Sequence, residues 1–181
     1  MEKPNIPASM VKDLREQTGA GIMICRKALI NTDGDMEKAL EILKQQNLYR
    51  AEKKIKRVAN QGIVEAYIHG EGRIGAMIEL NCETDFVART DDFKALAHHL
   101  AMQVAALSPQ FTSKEEIPEG TDIDPAEACL LLQADIKDPS RTIQDIILEN
   151  IARVGENIKI KRFARFELGV VENKTTENAS E

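Results

Sequence analysis

The feature that most constrains the fold is the stretch 80–88, LNCETDFVA, where an alternating run leads directly into a long helical pattern. Alternation predicts a strand, and the apolar spacing over about 91–107 predicts an amphipathic helix. The turn between them sets Asp85 beside Phe86, one side chain that favours water and one that favours burial. Two interpretations are open. Either Asp85 caps the helix while Phe86 packs on the chain's own core, or a partner protein supplies the pocket for both.

The composition is typical of a soluble intracellular protein. A chain of 181 residues can form one good core, or one core with a small satellite domain. The net charge of −6 and the absence of tryptophan argue against a general nucleic-acid binder, which needs a basic, base-stacking surface. No apolar run approaches membrane-spanning length, and the N-terminus lacks the order of a signal peptide. We therefore expect a cytoplasmic protein with no membrane or direct nucleic-acid contact.

The cysteine and histidine pattern gives little support to an enzyme. Cys25, Cys82 and Cys129 are widely spaced among aliphatic residues, which indicates reduced thiols rather than a zinc or disulfide site. A nucleophile at Cys82 or Cys129 would need His98 or His99 as its base, and nothing near Cys82 in the sequence is expected to lower its pKa. The adjacent histidines point about 100° apart on a helix, which does not suit one metal. No phosphate-binding glycine loop is present. The sequence predicts no covalent catalysis, cofactor or metal.

Residues 1–48 are predicted to form a three-helix domain. Apolar residues recur at helical spacing in three segments separated by turn residues, so we expect helices at 7–18, 22–30 and about 36–46. So small a bundle buries little surface, and an exposed apolar edge is therefore expected to bind a partner. Residues 49–61 are strongly basic. We interpret them as a solvated helical linker, with contact to a phosphate or an acidic partner as the alternative.

Residues 62–168 are predicted to form an α+β core. Two alternating runs around Gly70-Glu71-Gly72 predict a β-hairpin over about 62–82, in which Val64, Ala66 and Ile68 share a face. A third strand is expected at 158–168, with Ile158, Ile160, Arg162, Ala164, Phe166 and Leu168 on one side. The helix at 91–107 should cover one sheet face, and further helices are expected at 126–134 and 142–154. The acidic segment 108–125 is predicted to be a surface loop, and the tail 169–181 is expected to fray.

Three stretches of the chain closely resemble the bacterial translation elongation factor Ts family. They are VKDLREQTGAGIM at 11–23, IELNCETDFVA at 78–88, and VGENI at 154–158 leading into RFARFELG at 162–169. The resemblance covers nearly the whole chain in the right order. It implies a ubiquitin-associated-like first domain followed by the family's α+β core. It also implies guanine-nucleotide exchange without covalent chemistry, in which the protein binds elongation factor Tu and promotes release of GDP so that GTP can bind.

The resemblance further implies two sets of contact residues. In the family the element that corresponds here to Thr84, Asp85, Phe86 and Val87 intrudes beside the magnesium site of elongation factor Tu. We interpret Phe86 as a wedge in an apolar pocket and Asp85 as the residue that disturbs the hydrogen bonds around the magnesium ion. The second set docks on the GTPase domain, with Val154 and Gly155 on the phosphate-loop side; its members are Arg15, Ile22, Met23, Val154, Gly155 and His69.

The chain also departs from the larger members of the family. Those members carry the core unit twice and insert a coiled-coil hairpin, whereas this chain has one copy and a proline-rich acidic loop. The missing half predicts a homodimer in which a second protomer completes the core, with the strand ending at Leu168 near the interface. Ala164 stands where some short members carry a cysteine that bridges protomers. The expected dimer is therefore noncovalent.

Two functions of other classes remain as alternatives. A non-catalytic ubiquitin-associated-like adaptor would bind a helix, nascent chain or chaperone through residues 19–23, and Phe86 would then be irrelevant. An RNA-binding protein would use the basic segment 49–61 and would show strong salt dependence. The acidic net charge speaks against the second alternative.

Overall fold

The computed structural model describes residues 6–170 and has the predicted α+β architecture. The predicted fraying of 171–181 lies outside the described residues. Short 3-10 turns occupy Lys114–Glu116 and Leu130–Leu132. The helices and strands in chain order are α1 (Ala8–Thr18), α2 (Ile22–Asn31), α3 (Met36–Glu52), β1 (Gln61–His69), β2 (Ile74–Cys82), α4 (Asp85–Ala88), α5 (Asp91–Leu107), α6 (Pro125–Ala128), α7 (Ile143–Val154) and β3 (Ile158–Glu167).

Helices α1 to α3 pack around a small apolar core of their own. Gly19 ends α1 in the left-handed conformation and returns its backbone N–H to the Arg15 carbonyl. The Asp35 carboxylate caps α3 by accepting a hydrogen bond from the Lys38 backbone N–H. The buried residues of this core are Val11, Leu14, Ala20, Cys25, Ala28, Leu29, Ala39 and Leu43. The predicted three-helix unit is therefore present, although its last helix is longer than expected.

Helix α3 continues through the boundary expected at residue 48 and ends at Glu52. Its last turn carries Ala51, which is fully buried in a second core formed with the strands, α5 and α7, and α3 packs against α7. The prediction of a helical linker over 49–61 is therefore wrong for most of its length. Only its first residues are helical, and 53–57 form turns before β1. Burial of Ala51 explains the difference, because tertiary packing extends a helix beyond its own apolar stripe.

A three-stranded antiparallel sheet in the order β1-β2-β3 forms the centre of the second unit. Helix α5 packs against β1 and β2, and Ala76, Ile78 and Leu80 of β2 are buried on that face. The register pairs Ala66 with Met77, which places the apolar side of β1 on the opposite, open face. That face, named here the open sheet face, carries exposed apolar residues that no described element covers: Val64, Ala66, Ile68, Met77, Ala164 and Phe166.

Strand β3 changes face partway along its length, which corrects the single alternation predicted from the sequence. Leu80 pairs with Ile160 and Glu79 pairs with Arg162, so Lys161 is an extra residue and the register shifts there. Since the side-chain period of a strand is two, the extra residue reverses which side chains face the helices. Ile158 and Ile160 are buried before the shift, whereas Phe163 is the inward residue after it and Phe166 is exposed.

Helix α7 begins and ends close to the predicted bounds, whereas the helix predicted at 126–134 is shorter than expected. Thr142 and Asp145 form a capping box at the start of α7, and Gly155 ends it in the left-handed conformation. Helix α6 stops at Ala128, because the Leu130 backbone N–H donates to the Phe111 carbonyl of the preceding loop instead of continuing a helix. No helix within 6–170 combines the length and the apolar content needed to cross a membrane.

Replacing Gly62 by alanine is expected to lower the free energy of unfolding by about 2 kcal/mol, because the added methyl overpacks the β1–β2 pair. A Cβ at this position would lie 2.1 Å from the Leu80 carbonyl oxygen and 2.8 Å from the Asn81 Cα. Urea unfolding measures the loss. Gly75→Ala is the matched control in the same sheet, since its nearest neighbour is the movable end of Ile68 at 3.2 Å. Equal losses for the two variants would contradict the overpacking argument.

Candidate functional site

Thr84 lies at the junction of β2 and α4, and each of its polar groups forms a hydrogen bond within the chain. Its backbone N–H and its hydroxyl both donate to the Glu156 carboxylate, at 2.9 Å and 2.7 Å. Its carbonyl accepts the Cys82 thiol at 3.0 Å. The hydroxyl also accepts a hydrogen bond from the Val87 backbone N–H at 3.4 Å and so caps α4. The turn at Thr84 is therefore a fixed base for the residues that follow it.

Phe86 projects from this base into solvent. Its side chain is 80% exposed, whereas Val87 packs against the core and Ala88 is buried. The interpretation in which Phe86 packs as a staple on the chain's own core is therefore wrong. A large aromatic side chain held outside its core on an anchored turn is typical of a residue that inserts into a partner.

Asp85 does not cap the helix, because Thr84 does so. The Asp85 carboxylate instead forms an ion pair with Arg89 one turn later, at 2.8 Å. Both side chains are substantially exposed, so the pair contributes little to stability and a partner can displace it at small cost. Asp85 thus stands next to Phe86 as an accessible acidic group.

Val154 and Gly155 come next to this turn in space because Glu156, which binds Thr84, follows them directly in the chain. Val154 is half-buried against the core. The Lys54 Nζ lies 3.6 Å from the position that a Cβ on Gly155 would take, so the basic segment after α3 also borders this region. The structure therefore brings Val154 and Gly155 together with the 84–87 turn.

A second set of contacts ties the same segments together one residue further along. The Glu83 carboxylate accepts a hydrogen bond from the Asn157 backbone N–H at 2.7 Å and lies 3.6 Å from the Arg57 guanidinium. The Asn157 side-chain amide donates to the carbonyls of Ile55 and Arg57, at 2.9 Å and 2.6 Å. Three chain segments that are distant in sequence therefore meet at this point.

The candidate contacts of the first domain are all exposed, on α1 and at the start of α2. Ile22 and Met23 open α2 with 56% and 72% of their surfaces exposed, and Arg15 is exposed on α1. The buried Leu14 and Cys25 beside them hold the two helices together. This apolar edge matches the expectation for a bundle too small to bury all of its apolar side chains.

His69 lies at the opposite end of the hairpin from the 84–87 turn. It ends β1 and pairs with Ile74, whereas the 84–87 turn follows the other end of β2, where Cys82 pairs with Gln61. The two ends are about 26 Å apart along the strands. The His69 ring is exposed and hydrogen-bonds the Tyr67 hydroxyl at 3.0 Å.

Cys82 and the adjacent histidines have hydrogen-bond partners within the chain. Burial raises the pKa of the Cys82 thiol, and the nearby Glu156 carboxylate adds to the effect, so the sulfur keeps its proton and donates to Thr84. Burial likewise raises the pKa of the Cys129 thiol. His98 binds Glu65 at 2.8 Å and His99 binds Asp135 at 2.6 Å. A raised thiol pKa is the opposite of what a cysteine nucleophile requires.

Sequence reasoning missed the residues that hold the 84–87 turn in place. Glu83, Glu156 and Asn157 all lie in stretches that carry the family resemblance, yet only their neighbours are implied to touch a partner. Glu156 binds Thr84 from 72 positions away, and Glu83 binds Asn157 from 74 positions away, so no local pattern connects them. The available signal is the short polar run Glu156-Asn157 directly after the end of a helix and before a buried strand, which is unusual without a bonded partner.

Comparison with known proteins gives a consistent result. A model of the family described as Elongation factor TS matches residues 30–122. A relative from Syntrophomonas wolfei, named Elongation factor Ts, is 47% identical, with 97% of each chain covered. Relatives of the same name from Heliobacterium modesticaldum and Carboxydothermus hydrogenoformans are 49% and 47% identical, and each match covers 91% of this chain and about nine-tenths of the relative.

Proposed function

Because the chain belongs to the elongation factor Ts family, we propose that it is the guanine-nucleotide exchange factor for elongation factor Tu in the cytoplasm. In this role it binds the GDP-loaded GTPase, promotes release of GDP and leaves once GTP binds. The observation that carries the proposal is the exposed Phe86 beside Asp85 on the anchored Thr84 turn. No covalent chemistry is required of any residue.

The proposed mechanism is one of differential binding. A GTPase holds GDP through its phosphate loop and a coordinated magnesium ion. An exchange factor accelerates release only if it binds the state without magnesium and nucleotide better than the loaded state. The coupling is reciprocal, so nucleotide and magnesium must weaken binding of the exchange protein by the same ratio as that protein weakens theirs. The exchange factor is therefore released by the nucleotide that it helps to load.

The 84–87 turn is proposed to act at the magnesium site. Phe86 enters an apolar pocket of the GTPase domain and displaces its helices, and the Asp85 carboxylate competes for the hydrogen bonds that hold the magnesium shell. Burying a phenylalanine contributes about 1.5–3 kcal/mol, and each 1.4 kcal/mol of differential binding is worth a factor of about ten. The wedge therefore supplies one to two orders of magnitude, and other contacts must supply the rest.

The remaining contacts are proposed to come from both domains. Ile22 and Met23 offer an exposed apolar anchor, and we assign them, together with the exposed Arg15, to docking on the GTPase domain. Val154 and Gly155 border the 84–87 turn and are assigned to the phosphate-loop side. Docking contacts of this kind raise affinity for all nucleotide states, whereas Phe86 and Asp85 discriminate between them.

A noncovalent homodimer is proposed to complete the core. The open sheet face leaves Ile68, Met77 and Phe166 exposed, and an apolar sheet face of this kind needs a cover. A second copy of the chain offers the same face, as a twofold interface requires. The three cysteines are free and buried, which leaves none for a bridge between protomers. In such a dimer His69 of the second protomer is proposed to supply this contact, since within one chain His69 lies at the opposite end of the hairpin from the 84–87 turn.

The adaptor alternative is favoured by one observation, the exposed Ile22 and Met23 patch, which could bind a helix without any exchange. It predicts that Phe86 is dispensable. The two functions are separated by stopped-flow release of a fluorescent GDP analogue preloaded on elongation factor Tu, with and without the full chain. Acceleration that saturates with protein concentration supports exchange. Binding of the full chain with an unchanged release rate would contradict exchange and leave the adaptor function.

A further inference from the structure

Two glutamates cross between the 83–84 and 156–157 segments and join them reciprocally. Glu156 accepts the Thr84 N–H, and Glu83 accepts the Asn157 N–H, so each segment supplies one carboxylate and one backbone donor. We propose that this pair of contacts, named here the glutamate clasp, positions the 84–87 turn for nucleotide exchange, with Glu156 as the principal positioning residue. The proposal rests on the exchange function proposed above and adds residues that make the wedge rigid without touching the partner.

The first step of the argument concerns the stability of α4. This helix has four residues, and a single helical turn is not stable by itself in water. Its orientation must therefore come from contacts outside the helix. Val87 and Ala88 fix one side by packing on the core, and Thr84 fixes the start. Phe86 lies between these supports and has no packing of its own, so its direction depends on them.

The second step concerns the charge and geometry at Thr84. Glu156 accepts a hydrogen bond from the Thr84 hydroxyl at 2.7 Å, which turns an oxygen lone pair of that hydroxyl toward the Val87 N–H. A carboxylate can accept both Thr84 donors at once, one on each oxygen, whereas a neutral amide offers a single acceptor oxygen. Hydrogen bonds to a charged acceptor are also about twice as strong as neutral ones. The carboxylate is thus the group that both anchors Thr84 and directs the cap.

The third step concerns the neighbouring contact segments. Glu156 follows Val154 and Gly155, so the clasp joins the proposed magnesium-site turn to the proposed phosphate-loop contact. Asn157 extends the connection to the carbonyls of Ile55 and Arg57, beyond α3. A wedge displaces the helices of a partner only if it does not yield itself, so a rigid junction converts binding into displacement. Loosening the clasp should therefore lower the rate of nucleotide exchange more than it weakens docking on the partner.

The test measures the release of fluorescent GDP from elongation factor Tu over a range of concentrations of full-length variants. Glu156→Ala is expected to lower the maximal rate about tenfold and to change the half-saturating concentration by less than about twofold, because the interaction lost acts mainly after docking. Glu156→Gln keeps one acceptor for the Thr84 N–H and should recover part of the rate. Glu65→Gln is the matched control, since its carboxylate is also partly exposed and hydrogen-bonded, to His98, away from the clasp.

A double mutant separates positioning from general destabilisation. If Glu156 acts through Phe86, then Phe86→Ala combined with Glu156→Ala loses no more than Phe86→Ala alone, within about twofold. Multiplication of the two effects would overturn the proposal, as would a wild-type maximal rate in Glu156→Ala. A larger half-saturating concentration at an unchanged maximal rate would overturn it too, because that is the signature of a docking residue.

Amide hydrogen exchange at Thr84 tests the glutamate clasp independently of the GDP-release assay. The Thr84 amide proton is expected to exchange about tenfold faster in Glu156→Ala, because the acceptor is gone. If the wild-type chain does not accelerate GDP release, the proposed function is wrong and the clasp is then wrong as a device for exchange. Unchanged protection of the Thr84 amide, with full activity in the wild type, would contradict the clasp alone. If Glu156→Ala does not fold, Glu156→Gln replaces it in the release assay, where a maximal rate below that of the wild type is still expected and an unchanged maximal rate would overturn the proposal.

Discussion

Phe86→Ala is expected to remove most of the acceleration of GDP release, about 10- to 100-fold, while the protein remains folded. The size of the loss follows from the roughly 1.5–3 kcal/mol gained when a phenylalanine is buried, here in the pocket of the partner. Because 80% of this side chain is exposed in the free protein, its removal leaves no cavity. Stopped-flow release of fluorescent GDP measures the first effect, and thermal unfolding measures the second.

The matched control is Leu107→Ala, which removes another exposed apolar side chain, from the end of α5. It should leave the release rate within about twofold of the wild type, since a surface truncation away from the interface has little effect. Phe93→Ala provides the opposite reference for stability: Phe93 is 2% exposed, and its truncation should cost about 3–5 kcal/mol. Full acceleration by Phe86→Ala would refute the wedge and favour the adaptor.

Met77→Asp is expected to convert the proposed homodimer to a monomer at micromolar concentration. Met77 lies between Ala66 and Ala164 in the middle row of the open sheet face. An unpaired carboxylate at the centre of an apolar interface loses its hydration without gaining a partner, which costs several kcal/mol and raises the dissociation constant by at least about a hundredfold. Sedimentation equilibrium of the wild type and the variant measures the change.

Leu107→Asp is the control for oligomeric state, because Leu107 is 46% exposed, close to the 48% of Met77, but lies on α5, which packs on the other face of the sheet. It should leave the dimer intact. A wild-type chain that sediments as a monomer at all concentrations would contradict the dimer. A dimer that survives Met77→Asp would place the interface away from the open sheet face.

Much of the local structure could be predicted because its causes are local. Gly155 ends α7, and Thr142 with Asp145 starts it, since these caps depend on residues three or four positions apart. The hairpin follows from two alternating runs around a glycine-rich turn. Helix α5 was predicted with the bounds that the structure has, Asp91–Leu107, because its apolar stripe is long and regular. For such elements the determining contacts lie within a few residues of one another.

The elements that were predicted wrongly depend on contacts distant in the chain. Helix α3 extends to Glu52 because Ala51 is buried in a core formed by later elements. Helix α6 is cut short because loop residue Phe111 accepts the N–H of Leu130. The face that Phe166 occupies depends on the register shift opposite Glu79 and Leu80. The periodicity of a single segment cannot predict any of these features, because each depends on a contact between two segments that are distant in the chain.

The candidate site divides in the same way. The sequence by itself determined the family, the α+β class, and the Thr84 to Val87 turn between a strand and a helix, because these depend on motifs that are contiguous in the chain. Only the tertiary structure decided that Phe86 faces solvent, that Thr84 rather than Asp85 caps α4, and that Glu156 holds Thr84. The reason is physical: the exposure of a side chain and the partner of a buried donor are set by what folding brings beside them.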